Sequence, residues 1–326
     1  MKKIWIAWEK HRRTTELATA FDVAKLFQLE VEASRPIRYL SLLYRTLRII
    51  LRERPDLIIV QNPSIVLSVF MVTLGKLLVP HVVIDAHNAG IIPFPSKYNS
   101  LLPLYGMIQK WADLTIVTNE GLAKVVHANG GRPFVLEDRI PQFNGVERIA
   151  LKGKHNLVFV CTFEEDEPYE EVIRAARFID PSIHLYVTGK YQKASPTIIA
   201  QAPDNVAFTG FLSDQEYANL LYSCDAIIDL TLLEDCLVCG AYEAVALGKP
   251  LVLTNTPALR SYFYHGAVYT ENTAEKIAQA IRSVVENKKV LQEEIAILRS
   301  QLKSAWEEKR QDLLRILEQL VAKRKN

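Results

Sequence analysis

Long apolar runs, cysteine, glycine and net charge are all scarce in this sequence, and each scarcity removes a class of protein. The longest apolar stretch, SIVLSVFMVTLGKLLVP from Ser64 to Pro80, is broken by Lys76. It falls short of the ~20 residues that cross a bilayer and is expected to form a buried helix. The opening MKKIWIAWEK has two lysines and an apolar run, but Trp8-Glu9-Lys10 interrupts it too early for a signal-peptide core, so it reads as a first strand. The four cysteines are too few and too unevenly spaced for a disulfide framework, which points to a reducing cytoplasm. Glycine is thin at 13 residues, and no Gly-x-Gly-x-x-Gly turn follows any strand-like run, which argues against a nicotinamide-dependent dehydrogenase. A formal charge of +2 gives no global field for nucleic acid, so any electrostatic targeting must be local.

What is present is an alternation of β-rich apolar runs with amphipathic helical patterns, the signature of parallel βαβ units in an α/β protein. Strands are expected at 3–8, 29–34, 56–62, 81–87, 114–119 and 133–138. The series restarts at 156–163, 183–189, 206–210, 225–231 and 250–255. At 326 residues the chain exceeds one ordinary core. Each half is therefore expected to be a doubly wound, Rossmann-like domain, with the polar segment 141–156 as linker. The expected divisions are 1–145, 146–303 and an amphipathic C-terminal helix, 304–326, that packs back across the first domain. Ligands of such sheets sit beyond the carboxyl ends of the strands, and two facing domains would hold a ligand in the cleft between them.

The segment LEDCLVCGAYEAVALGKPLVLTN (233–255) carries two competing chemistries. Cys236 and Cys239 have a metal or redox spacing, but the remaining cysteines and the histidines supply no second pair, so they read as small packing residues. The carboxylates are the alternative. GAYEAVALG reads as a short helix stopped by Gly248, with Asp235 in the loop ahead of it and Glu243 one turn inside. The amides of Val238, Cys239, Gly240 and Ala241 would then be unpaired at a helix N-terminus, a ready diphosphate site. Gly240 would permit close approach, and Glu243 could accept both hydroxyls of a ribose.

An acid, seven residues, Glu-Ala and Gly-Lys-Pro before a buried strand resembles the nucleotide-sugar signature of GT-B glycosyltransferases, notably family 4. The segments VQNPSIV, VIDAHNAG, IVTNEGL, LEDRIPQF and TFEEDEPYEEVIRAA are similar, in order, to segments of the β-1,4-mannosyltransferases that extend lipid-linked chitobiose. The likeness covers about the first 270 residues. It implies a GT-B fold and a nucleotide-sugar donor, GDP-mannose first and a UDP-hexose second. It also implies a glycan acceptor, lipid-linked in that subgroup, and no required metal cofactor. The second domain would hold the donor with Asp235, the amides of the 238–241 loop, Glu243, and Gly210, Phe211 and Leu212 beside the base. Family members usually hold the diphosphate with an Arg and a Lys after the first strand of the second domain, whereas here that region, beginning at Thr162, is acidic. Helix-terminus amides, Lys190 or Arg139 would have to neutralise the phosphates instead. The first domain would supply the acceptor site and His87, which matches a position facing the donor sugar. Asp85 and Glu9 compete as general base for an inverting displacement. Family 4 retains configuration and the mannosyltransferase subgroup inverts, so both outcomes stay open.

One further element suits a lipid acceptor. In SRPIRYLSLLYRTLRIILRERP (34–55), Arg35, Arg38, Arg45, Arg48 and Arg52 accompany an apolar face, the pattern of an interfacial helix on an anionic membrane or of a core helix with a basic outer face. The rival functions are a nucleotide-sugar epimerase of the same fold and a catalytically inactive binding subunit.

Overall fold

The computed structural model describes residues 1–62, 64–93 and 96–322. Pro63 of the VQNPSIV segment and the last four residues of the expected 304–326 helix lie outside the described residues. The chain divides into two compact units: the first is Met1–Arg139 together with Ala305–Asn326, the second Ile140–Ser304.

The first unit runs β1 (Lys3–Ala7), α1 (Arg12–Ala20), β2 (Lys25–Gln28), α2 (Arg35–Glu53), β3 (Leu57–Asn62), α3 (Ile65–Val72), β4 (His81–Ala86), α4 (Asn88–Ile91), α5 (Leu102–Trp111), β5 (Leu114–Val117), α6 (Glu120–Ala128) and β6 (Pro133–Val135). Its sheet has the order β2-β1-β3-β4-β5-β6 and every pairing is parallel. β3 and β4 are buried along their whole length, as a sheet covered on both faces requires. Strand alternation sends Ile4, Ile6, Ile58 and Val60 to one core with Leu67 and Met71, and Trp5, Leu57 and Ile59 to the other with Leu17 and Phe21. That second core is completed by Trp306, Leu313, Leu317 and Val321 from the C-terminal helix.

The second unit runs β7 (His155–Phe159), α7 (Tyr169–Ala175), β8 (Ile183–Thr188), α8 (Pro196–Ala200), β9 (Val206–Gly210), α9 (Asp214–Ser223), β10 (Ala226–Asp229), α10 (Cys239–Leu247), β11 (Leu251–Thr254), α11 (Pro257–Tyr262), β12 (Ala267–Thr270) and α12 (Ala274–Glu286). Its order, β12-β11-β10-β7-β8-β9, is also wholly parallel. Strand order reverses between β7 and β10 here, and between β1 and β3 in the first unit. Those switch points are where doubly wound sheets take their ligands. Two local devices fix the helices around the second. Ser213 and Glu216 form a reciprocal capping box on α9, and Gly248 ends α10 with a left-handed φ of 70°.

Several expectations shift. The 29–34 strand is absent, and the edge strand is β2 at Lys25–Gln28, paired to β1. The expected 133–138 strand pairs only over Pro133–Val135, and β12 was not expected at all. The second unit begins at Ile140. The final helix is not separate: α13 runs from Lys288 to Ala322, and its residues from Ala305 belong to the first unit. The 64–80 stretch is a buried helix only as far as Val72; past it, Leu74, Leu77 and Leu78 are exposed, Leu77 by 81%.

Candidate functional site

At the switch point of the first unit, the ends of β1 and β3 open on a cavity of about 540 Å³ lined by Trp8, Glu9, Lys10, Arg38, Tyr39 and Ser64, among others. Glu9 is exposed there, while Trp8 is anchored by its indole N–H on Thr46 at 3.1 Å. Arg38 lies over the Tyr39 ring, 5.1 Å from its centroid, and its Nε has no partner among the described residues.

Asp85 and His87 sit apart from that cavity's lining, around the end of β4. Asp85 is fully buried and accepts from Arg13 Nε at 3.0 Å. Arg13 is itself buried, donates to the Leu136 carbonyl at 2.9 Å and pairs with Asp138. Burial opposes the charge on Arg13, but Asp85 and Asp138 outweigh it and raise its pKa. Burial likewise works against ionised Asp138, yet the charge of Arg13 overcomes it and holds that carboxyl below its usual range. His87 is the N-cap residue of α4 and its ring lies 4.3 Å from that of His11. Burial first, then Arg13 and His11, bring its pKa down to about 4 against the pull of Asp85, so the imidazole is neutral at physiological pH. Three polar atoms, Thr14 Oγ1, Asp85 Oδ2 and His87 Nε2, have no partner among the described residues.

The second unit gathers most of the expected donor residues. A cavity of about 450 Å³ is lined by Cys161, Thr162, Lys190, Gly210, Phe211, Leu212 and Tyr217, among others. Phe211 is 79% exposed, with Lys190 Nζ 5.4 Å from its ring centroid. Tyr217 joins this cavity to the signature helix, because its hydroxyl donates to Glu243 Oε2 at 2.6 Å. Burial, then the Glu243 carboxylate, push the Tyr217 phenol well above its usual range, which keeps it a donor.

The start of α10 departs from expectation. The Gly240 amide donates to Asp229 Oδ2 at 2.6 Å, and the Ala241 amide to the Val238 carbonyl at 3.3 Å, so neither waits unpaired for a phosphate. Asp229 closes the buried strand β10, and a Cβ on Gly240 would stand 2.6 Å from its Oδ2. Burial foremost, then the negative charge of Glu167, push the Asp229 carboxyl well above its usual range. Val238 is the buried N-cap and Asp235 lies part-exposed in the preceding loop. Cys236 is partly buried against the core, but Cys239 is exposed, so only the first fits the expected packing role. Arg139 is assigned to the first unit, where it lies over Trp306. Tyr217, Asp229 and Arg13 were missed. An acid ending the otherwise apolar run AIID was the one available signal, since nothing in sequence spacing announces the partners of the other two.

Three of the five α2 arginines stand together, while Arg38 lines the other cavity. Arg45, Arg48 and Arg52 line a groove of about 580 Å³ with Leu29, Ile49 and Leu51. Ile37, Leu40, Tyr44 and Leu51 are exposed along the same helix, Leu40 by 69%. Among the described residues no helix is long and apolar enough to cross a membrane, and no three His, Cys, Asp or Glu side chains are grouped as a metal ion would require.

Residues 146–302 match the family model of glycosyl transferases group 1. No curated protein matches the chain by sequence. Among solved structures, it is similar to Alr3699/HepE of Anabaena in complex with UDP-glucose, at 12% identity and a TM-score of 0.72 over 96% of this chain and 99% of that one. It is similar to sucrose-phosphate synthase (tll1590) of Thermosynechococcus elongatus, at 14% identity and 0.76 over 99% and 100%. A Listeria monocytogenes protein described as a UDP-N-acetylglucosamine 2-epimerase aligns at 14% identity and 0.58 over 91% of each chain.

Proposed function

We propose that the chain, whose residues 146–302 match the group 1 glycosyl transferase model and whose fold is similar to that of HepE and sucrose-phosphate synthase, is a GT-B glycosyltransferase that moves a hexose, mannose before others, from a nucleoside-diphosphate sugar to a lipid-linked glycan. The observation that carries this reading is the second-unit cavity, which combines an exposed aromatic face, Phe211, with a lysine and, through Tyr217, the Glu243 carboxylate. Its volume suits a small-molecule ligand. In this scheme Phe211 stacks on the base, Lys190 meets phosphate and Glu243 takes the ribose hydroxyls. The likeness to HepE, solved with UDP-glucose, supports a nucleotide-sugar donor.

The first unit is assigned the acceptor. Glu9, exposed on its cavity, is the general base in preference to Asp85, whose carboxylate is engaged by a permanently charged arginine. His87, neutral and with an open Nε2, is a hydrogen-bonding group for the transferred sugar. Arg38, with its unpartnered Nε on the acceptor cavity, suits an acceptor phosphate. The exposed apolar residues of α2 beside its arginine-lined groove support docking on an anionic membrane.

A thermal-shift screen with GDP and UDP on the wild type and Glu243→Ala tests the donor site. Stabilisation of the wild type that the variant loses is expected, and no stabilisation by either nucleotide sinks the proposal. The similarity to an epimerase keeps one rival: isomerisation of free nucleotide sugar without any acceptor would favour it.

A further inference from the structure

The loop after β7 holds an anion site that is already filled by the protein. Phe163 adopts φ 60°, one of three non-glycine residues with a positive φ among the described residues, and this strained turn brings the amides on either side of it together. The Thr162 amide donates to Glu167 Oε2 at 2.9 Å and the Glu164 amide donates to the same oxygen at 3.1 Å. The Thr162 hydroxyl donates to Oε1 at 3.0 Å. Converging backbone amides of this kind form a nest, an anion-binding concavity. It stands at the sheet's switch point, and Cys161 and Thr162 belong to the wall of the donor cavity. The cations nearby do not offset the charge: Lys193, which also lines the cavity, is paired with Glu164, leaving Lys190 as the lining cation without an ion pair among the described residues.

We infer that Glu167 is a resident anion in the phosphate seat of the donor cavity, a specificity-determining residue that makes the site take a nucleotide sugar mainly by its base and sugar ends. The inference rests on the donor-site reading above. A phosphate can use the nest only by evicting Glu167, and until then it meets a carboxylate where amides would otherwise receive it. A second carboxyl at this switch point, Asp229, accepts the Gly240 amide. A loop staple without this role would make the same hydrogen bonds, but it would behave differently when neutralised.

The test measures dissociation constants of uridine, UDP, guanosine and GDP by calorimetry for the wild type, Glu167→Gln and Glu167→Ala, with melting curves to establish folding. For the preferred base, the wild type is expected to gain less than about tenfold in affinity from the two phosphates, and the variants to gain at least about tenfold more, with nucleoside affinity unchanged. Variants that bind the diphosphate no more tightly than the wild type overturn the inference. So does a wild type that already prefers the diphosphate by about a hundredfold or more, a result that needs no variant to fold. If no nucleoside or diphosphate binds any of the three proteins, the donor site itself is wrong and the inference falls with it.

Discussion

Replacing Arg13 by methionine keeps much of the volume of a buried side chain and removes its charge. In the native first unit this guanidinium is 1% exposed, lies against Asp85, which is not exposed at all, and pairs with Asp138, which is partly exposed. Deleting one partner of a buried pair leaves the other without compensation, at a cost of about 3–5 kcal/mol. For a unit of this size the melting temperature should fall by about 2–4 °C per kcal/mol, so a drop of about 6–20 °C is expected. Differential scanning calorimetry reads it, and Arg13→Met with Asp85→Asn should recover part of the loss because the stranded charge is gone. The native carboxyl of Asp138 is held low, so its contribution is present above the unfolded pKa and disappears as pH falls through the lower folded value. Arg13→Met should therefore flatten the acid limb of the stability profile. A variant within about 1 kcal/mol of the wild type would refute the reasoning, since that is the range of exposed ion pairs.

Three other outcomes follow from the geometry. Gly240→Ala puts a methyl 2.6 Å from Asp229 Oδ2 and 2.8 Å from Val160 Cγ2; it should cost about 1–3 kcal/mol in urea unfolding and abolish stabilisation by nucleotide, and an unchanged midpoint would contradict it. His87 is depressed to about 4 in the folded state, so the unfolded chain binds the extra proton between about 6.5 and 4 and stability should fall by up to about 3 kcal/mol as pH drops through that window. His87→Gln should abolish this pH dependence, read by urea titrations at several pH values. Arg45→Gln with Arg48→Gln should weaken sedimentation with phosphatidylglycerol vesicles about 30-fold, at about 1 kcal/mol per arginine, while leaving nucleotide binding unchanged; equal sedimentation would remove α2 from the membrane.

The legible parts of this protein are those where burial leaves a pattern. β3, β4, β7 and β11 are apolar on both faces and were readable as runs of Val, Ile and Leu. The run Leu29–Ser34 alternates like a half-buried strand, yet it lies past the pairing of β2, because an edge strand need satisfy only one neighbour. β12 was overlooked for the same reason: Ala267–Thr270 is short and only partly buried. Glu243 stood out because it answers to a known spacing, whereas Lys190 was singled out only as a substitute for the absent Arg and Lys pair. Glu167 was visible as an acid among acids, but its partners come from a left-handed Phe163 that no residue preference announces. Asp229 and Gly240 are 11 residues apart in sequence, and only the packing of α10 on β10 brings them together.

The long helix α13 makes the two units unequal as genetic objects. Residues 140–304 are one uninterrupted stretch of gene that carries its own sheet, so the second unit can be cut out with two boundaries. The other half cannot, because Trp306, Leu313 and Leu317 complete the core around Trp5 and Phe21 from the far end of the chain. A fragment ending at Arg139 would present that apolar surface to water and should need 305–322 supplied as a peptide, whose capture would restore it. During synthesis the first half of the sequence must likewise wait, its core open, until the last helix leaves the ribosome.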